Sequence, residues 1–301
     1  MRVFVTGASG HIGSALVPEL IENGHQVVGL ARSDRSAAQL TAAGAEVRRG
    51  DIDDLDGLSD AARAADGVIH LAFKHELMAT GDYLGAIADD LKAVEAMGAA
   101  LEGTGKPFVG TGGTLMLALS GISGRQGTEE DVLTGGPRVD AENTVSQFAA
   151  RGVRSSIIRL SPIVHSSLDH HGFTHQLIGI ARDKGVSAYV GDGENRWPAV
   201  HTLDAVRLYR LALESAPAGS RLHGVADEGV PFKEIAGVIG RRLGLPVASI
   251  DEQDAAGHFG FLGDLVARDN WTSSARTREI LGWVPTHETL LDDLRDGHYF
   301  G

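Results

Sequence analysis

The run Thr6-Gly7-Ala8-Ser9-Gly10-His11-Ile12-Gly13 puts three glycines where a short β-branched strand, VFVTG from Val3, turns into a helix over 11–23. Each glycine has a separate physical use. Gly7 permits a tight turn, Gly10 lets the backbone approach a pyrophosphate, and Gly13 lets helix and strand pack closely. The first N–H groups of a helix have no partner inside it, and its dipole places partial positive charge there. Ser9, His11 and Ile12 lie on this same turn and complete the expected contact surface for the phosphates. The chemistry indicated is dinucleotide binding.

The end of the second strand bears on which dinucleotide. An acid there bonds the ribose 2′-OH, whereas an arginine favours a 2′-phosphate. This chain reads Leu30-Ala31-Arg32-Ser33-Asp34-Arg35, with Arg32 where the acid is expected. Arg32 and Arg35 can clasp a phosphate through planar, charge-assisted bonds, and Ser33 can add a hydroxyl. NADP is therefore expected ahead of NAD, with Asp34, two residues on, as the counter-argument. Asp51-Ile52 ends the third strand and is expected beside the adenine; Asp51 reads equally well as a helix-start residue.

These residues need a sheet to hold them. Short apolar runs begin at Val3, Gln26, Ala45, Gly67, Pro107 and Val153. Helical patterns over 11–23, 36–43, 55–64, 83–101 and 139–151 lie between them. Pro18 predicts a kink in the first. Strands alternating with helices imply a parallel sheet covered on both faces. The expected fold class is α/β: a Rossmann doubly wound parallel sheet with a smaller C-terminal α/β substrate lobe. Beyond Pro162 the pattern changes. A His-rich loop is expected over 165–175, helices over 176–184, 203–215, 231–243, 274–281 and 286–296, and a strand from Ser187. Thr286 reads as an N-cap. The expected division is 1–164 for the dinucleotide domain, with 196–227 returning to it, and 165–195 with 228–301 for the lobe.

Composition excludes several classes. The chain has 301 residues and no cysteine, which removes disulfides, thiolate catalysis and Cys-based metal sites. Its formal net charge of −13 disfavours nucleic acid and anionic membranes as partners. No apolar run of about 18 residues suggests a membrane span. The first residues do not read as a signal peptide, so a cytoplasmic location is expected.

Thr6 to Gly13, Asp51-Ile52 and His70-Leu71-Ala72 resemble the extended and atypical short-chain dehydrogenase/reductases, which include nucleotide-sugar epimerases and dehydratases. The resemblance continues through Arg159 to Val164. It includes Val200-His201-Thr202-Leu203-Asp204-Ala205, similar to the family's V-H-x-x-D-A, and Thr277 to Pro285, similar to its T-R-x-x-L-G-W-x-P. It implies that Leu71, Ala72 and Phe73 line the cofactor and that Pro162 and Val164 line the nicotinamide. It also implies a small-molecule substrate and a homodimer.

The family's chemistry rests on Tyr-x-x-x-Lys before the sixth strand. Aligned through Glu142 and Arg159, this chain has Gly135 at the Tyr position and Val139 at the Lys position. Hydride transfer still needs a proton partner. The candidates are His75 after the fourth strand, Asp89 where the family has Asn, and Thr111 and Thr114 at the end of the fifth strand. Tyr83 and the histidines 165, 170, 171 and 175 are further candidates. Adjacent His170 and His171 point differently, and no H-E-x-x-H spacing occurs, so no metal site is expected. The resulting expectation is an NADP(H)-dependent oxidoreductase acting by hydride transfer on a small organic substrate. The alternatives are a catalytically silent NADP-binding regulator and an epimerase/dehydratase-like enzyme.

Overall fold

A computed structural model describes residues 1–75, 77 and 81–301. Six strands form the first part of a parallel sheet: β1 (Arg2–Thr6), β2 (Gln26–Ala31), β3 (Glu46–Arg49), β4 (Gly67–His70), β5 (Pro107–Gly113) and β6 (Arg154–Leu160). Their spatial order is 3-2-1-4-5-6, and the later strand Ser220–Gly224 pairs parallel to β6 as a seventh. The order reverses beside β1. The carboxyl ends of β1 and β4 therefore open a crevice there, the place where doubly wound sheets take ligands.

Helices α1 (His11–Glu22), α2 (Asp34–Ala42), α3 (Leu55–Ala64) and α4 (Tyr83–Ala100) flank the sheet, the short α5 (Leu115–Leu119) packs with Leu133 and Val139, and α6 (Val139–Gln147) packs on the sheet through Ala141 and Val145. One core contains Val3, Val5, Leu16, Leu20, Ile69 and Ile158, and the other contains Phe4, Leu58, Val68, Met97, Phe108 and Phe148. Alternate residues of β1 thus face opposite cores, as the two-residue period of a strand requires. Helix α1 runs unbroken through Pro18, with no helix end at the expected kink. Helices 34–42 and 173–184 each begin before their expected starts at 36 and 176. At the tail, Thr289 caps the helix Leu290–Asp296 by accepting from Asp292 N, while Thr286 N donates to Asp204. Thr286 is therefore not the cap that its sequence context suggests.

The remaining chain forms a three-stranded sheet and a two-stranded one beside the seven-stranded sheet. Strand Arg196–His201 lies at the centre of the three-stranded sheet, and helix Thr202–Ser215 packs on the first core through Leu208, Tyr209 and Leu213. The segments that carry the family resemblance late in the chain meet here. Trp283 Nε1 donates to the Asp204 carbonyl at 3.0 Å, and the Asp204 carboxylate accepts from Thr286 N and His287 N. Asp204 is fully buried, and these bonds hold its pKa below the ordinary carboxylate value against the opposing effect of burial. No described helix is long and apolar enough to cross a membrane.

Candidate functional site

The glycine turn has the geometry its sequence implies. Gly7 has φ +67°, and a Cβ on it would lie 2.7 Å from the Ala72 backbone nitrogen. A Cβ on Gly13 would lie 2.2 Å from the Gly7 carbonyl oxygen. A Cβ on Gly10 would meet only that same oxygen, at 3.3 Å, so its outer side is open. Gly10 is the N-cap of α1 and gives it no side-chain cap, which leaves the first N–H groups of the helix for a ligand. These residues fit a dinucleotide pyrophosphate.

At the end of β2, Arg32, Ser33 and Arg35 are all exposed. Ser33 caps α2, accepting from Ser36 N at 3.1 Å. Arg49, at the end of β3, joins them: it donates to the Ser33 carbonyl at 2.6 Å and to Asp34 Oδ1 at 2.5 Å. Sequence reasoning missed Arg49 because its proximity comes from the register of β2 on β3, which pairs Ala31 with Arg49. Asp34, the acid that argued for NAD, is thereby paired with an arginine. Ile52 is buried, and Asp51 Oδ1 accepts from Ile52 N at 2.6 Å. The cap of α3 is Asp54, not Asp51.

Thr6 ties this turn to the end of β4. Its Oγ1 accepts from Leu71 N and Ala72 N, both at 3.2 Å, and lies 2.6 Å from His70 Nδ1. With both lone pairs engaged, the hydroxyl proton goes to Nδ1. His70 is then protonated at Nε2, which donates to Asp90 Oδ1 at 3.2 Å. Asp90 Oδ2 accepts from Arg138 NH1 at 3.1 Å. This buried chain ends at a guanidinium that lies 4.1 Å from the centre of the Phe73 ring.

Helix α4 turns its two adjacent aspartates differently. Asp90 is buried, whereas Asp89 pairs with Lys74 at 2.7 Å and Lys92 at 3.3 Å. Those lysines hold the Asp89 pKa below its ordinary value. Lys74 also pairs with Asp53 at 2.6 Å, linking the loops after β3 and β4. His75 is exposed, with its ring 5.2 Å from that of Phe73. The Thr111 hydroxyl donates to the His70 carbonyl at 2.7 Å and lies 2.8 Å from Tyr209 Oη. The Thr114 hydroxyl is fully buried and accepts from Asn270 Nδ2 at 3.1 Å. Both threonines are thus engaged inside the protein. Tyr83, at the start of α4, is 37% exposed, and burial raises its pKa.

Gly135 has φ +144° before α6, and Val139 is buried in its first turn. Neither carries a polar side chain. Arg138, adjacent to Val139, directs its guanidinium to Asp90.

A hydrogen-bonded cluster centred on Thr202 joins the glycine turn to strand Ile163–His165. His11 Nε2 lies 2.9 Å from Thr202 Oγ1, which also receives a bond from Ser166 and donates to the His165 carbonyl. Burial lowers the His11 pKa, with Asp169 opposing. His175 donates to the Asp169 carbonyl at 2.7 Å. Pro162 and Val164 are half-buried on either side of the start of strand Ile163–His165. Among the described residues, no three His, Asp or Glu are arranged to hold a metal.

The sheet order, the glycine turn and its open face define a dinucleotide-binding α/β protein. The chain belongs to the NAD dependent epimerase/dehydratase family, whose model matches residues 3–109. It is 48% identical to an uncharacterized protein of Schizosaccharomyces pombe, covering 100% of both chains. It is 26% identical to a decarboxylating sterol-4-alpha-carboxylate 3-dehydrogenase of Dictyostelium discoideum, over 77% of this chain and 74% of that one. The dTDP-glucose 4,6-dehydratase of Streptomyces venezuelae, solved with NAD bound, has the same fold. Its TM-score is 0.73 at 21% identity, with 99% of this chain and 96% of that one covered.

Proposed function

We propose that this protein is an NADP(H)-dependent oxidoreductase that acts on a small organic substrate by hydride transfer. The observation that carries the reading is the glycine turn, open only at Gly10, combined with three arginines around the end of β2. When bound, the dinucleotide supplies or takes a hydride at nicotinamide C4. The chain's own groups do the rest. Turn residues Gly7 to Gly13 hold the pyrophosphate, and Arg32, Ser33, Arg35 and Arg49 surround the 2′-phosphate. Asp51 and Ile52 flank the adenine. Leu71, Ala72 and Phe73 line the ribose on the other side of β1, and Pro162 and Val164 border the nicotinamide.

For the proton partner we favour His75, which is exposed beside Phe73 and carries an imidazole, a common general acid and base. Asp89 is the second choice. Its lysine partners keep it ionised, so it suits taking a proton better than giving one. Thr111 and Thr114 follow, because their hydroxyls already have partners.

A silent NADP-binding regulator is the second reading, favoured by Gly135 and Val139 at the positions of the family's Tyr and Lys. Turnover separates the two. NADPH consumption is followed with carbonyl and imine substrates, for the wild type, His75→Ala and Asp89→Ala. The enzyme reading expects a substrate whose reduction slows in at least one variant. Tight NADPH binding without turnover, and variants unchanged in every measured property, would favour the regulator.

A further inference from the structure

Among the described residues other than glycine, Arg138 alone has a positive φ, at 67°. For a bulky side chain that conformation is unfavourable by on the order of 1 kcal/mol or more and persists only where surrounding contacts enforce it. The enforcing contacts are visible. The guanidinium is held against the Phe73 ring and bonded to Asp90, and Asp90 is held in turn by His70 and Thr6. The Thr6 hydroxyl fixes His70 as the neutral Nε2–H form, so the buried chain contains one anion, Asp90, and one cation, Arg138.

The guanidinium is held but not saturated. It has five N–H donors, and among the described residues one of them is used, toward Asp90. Its side chain is 18% exposed, against 5% for Asp90. One face is covered by Phe73 and one nitrogen is committed, which leaves donors for a planar oxyanion.

Its location selects the ligand. The Arg138 guanidinium lies against Phe73, which follows β4 on the β5 side of β1, and Arg32, Arg35 and Arg49 lie on the β2 side. In the reading above, the 2′-phosphate and pyrophosphate are met by those arginines and the glycine turn. The nicotinamide ring and its ribose carry no anion, and the oxidised ring is positive. Asp90 takes one donor of this guanidinium from inside the protein, and the remaining donors are available to a substrate. With a net charge of −13, the chain repels anions over most of its surface, so an anionic substrate needs such a local partner.

We infer that Arg138 is a substrate-binding residue that recognises a carboxylate beside the nicotinamide, and that Thr6, His70 and Asp90 position it. The inference rests on the dinucleotide reading, and the test separates the two. NADPH is titrated first, by its fluorescence on binding, and oxalate is then titrated into the complex, for the wild type, Arg138→Gln, Arg138→Lys and Arg32→Ala. The expected result is saturable oxalate binding to the wild-type complex, weakened roughly tenfold to a hundredfold in Arg138→Gln. Arg138→Lys, which keeps the charge and loses the planar fork, is expected to weaken oxalate several-fold and decides the matter if the Gln variant does not fold. NADPH affinity should change by less than about twofold in both Arg138 variants, while oxalate binding should persist in the Arg32→Ala complex at saturating NADPH. No NADPH binding would overturn the dinucleotide reading and this inference with it. NADPH binding with no oxalate binding, or with oxalate binding insensitive to Arg138 or lost with Arg32, would overturn this inference alone.

Discussion

Gly13 packs against Gly7 so closely that a Cβ at position 13 would lie 2.2 Å from the Gly7 carbonyl oxygen and 2.6 Å from the Ala8 Cα. Both obstacles are backbone, so no side-chain rotation can relieve them. Gly13→Ala is expected to lower stability by about 3 kcal/mol or more and to abolish dinucleotide binding. Chemical denaturation and NADPH titration of the variant check this. A stable variant with ordinary affinity would show that the turn is not packed as described.

Asp34 is fully exposed and holds Arg49 at 2.5 Å. In the NADP reading its carboxylate opposes the 2′-phosphate. Asp34→Asn should therefore strengthen NADPH binding by roughly twofold to fivefold, more at low salt, and leave NADH binding unchanged. Titrations at two ionic strengths read this directly.

The Arg159 guanidinium is fully buried, bonded to Glu142 at 2.5 Å and to the Asp131 carbonyl at 2.8 Å. Glu142→Gln leaves a buried charge without its counterion and is expected to lower stability by about 3–5 kcal/mol. Unfolding midpoints in urea measure the loss. Arg221, 3.4 Å from the same carboxylate, loses its counterion as well, so a change below about 1 kcal/mol would contradict this reading.

His223 is buried with Nδ1 donating to the Ser273 carbonyl at 2.7 Å and Nε2 accepting from Arg159 at 3.3 Å. Burial, with Arg159 nearby, pushes its pKa down to about 3; burial and the neighbouring His165 and His287 push His201 down to about 4. Both are neutral in the fold and take up a proton on unfolding below the ordinary histidine value. Their contribution to stability is complete above about pH 6.5 and falls as pH drops toward 4, by up to roughly 1.4 kcal/mol per pH unit for each. Stability measured from pH 7.5 to 4.5 should show that slope, and His201→Gln should reduce it.

The sheet was legible because its buried strands are apolar runs with turn residues between them, and Gly7 to Gly13 was legible because backbone geometry dictates glycine there. The seventh strand, Ser220–Gly224, was not. Arg221 and His223 break its apolar pattern, and they are accommodated only because Glu142 and Arg159 from distant elements meet them. Asp90 and Arg138 escaped for a similar reason. On α4 the choice between Asp89 and Asp90 depends on helix rotation by one residue, and Arg138 lies in a glycine-proline loop whose neighbours the fold alone supplies. The helix Phe173–Lys184 begins at a glycine, without the usual side-chain cap. Asp169 instead holds the loop that enters this helix, accepting from His171 N at 3.2 Å and from Gly172 N at 2.7 Å.

The central claim is that this crevice binds NADP(H), with Arg32 recognising the 2′-phosphate. Titration of NADPH and NADH into the wild type and Arg32→Ala tests it most directly. NADPH should bind the wild type more tightly than NADH does. Arg32→Ala should weaken NADPH roughly tenfold to a hundredfold and leave NADH nearly unchanged. Equal losses for both nucleotides, or binding of neither by the wild type, would contradict it.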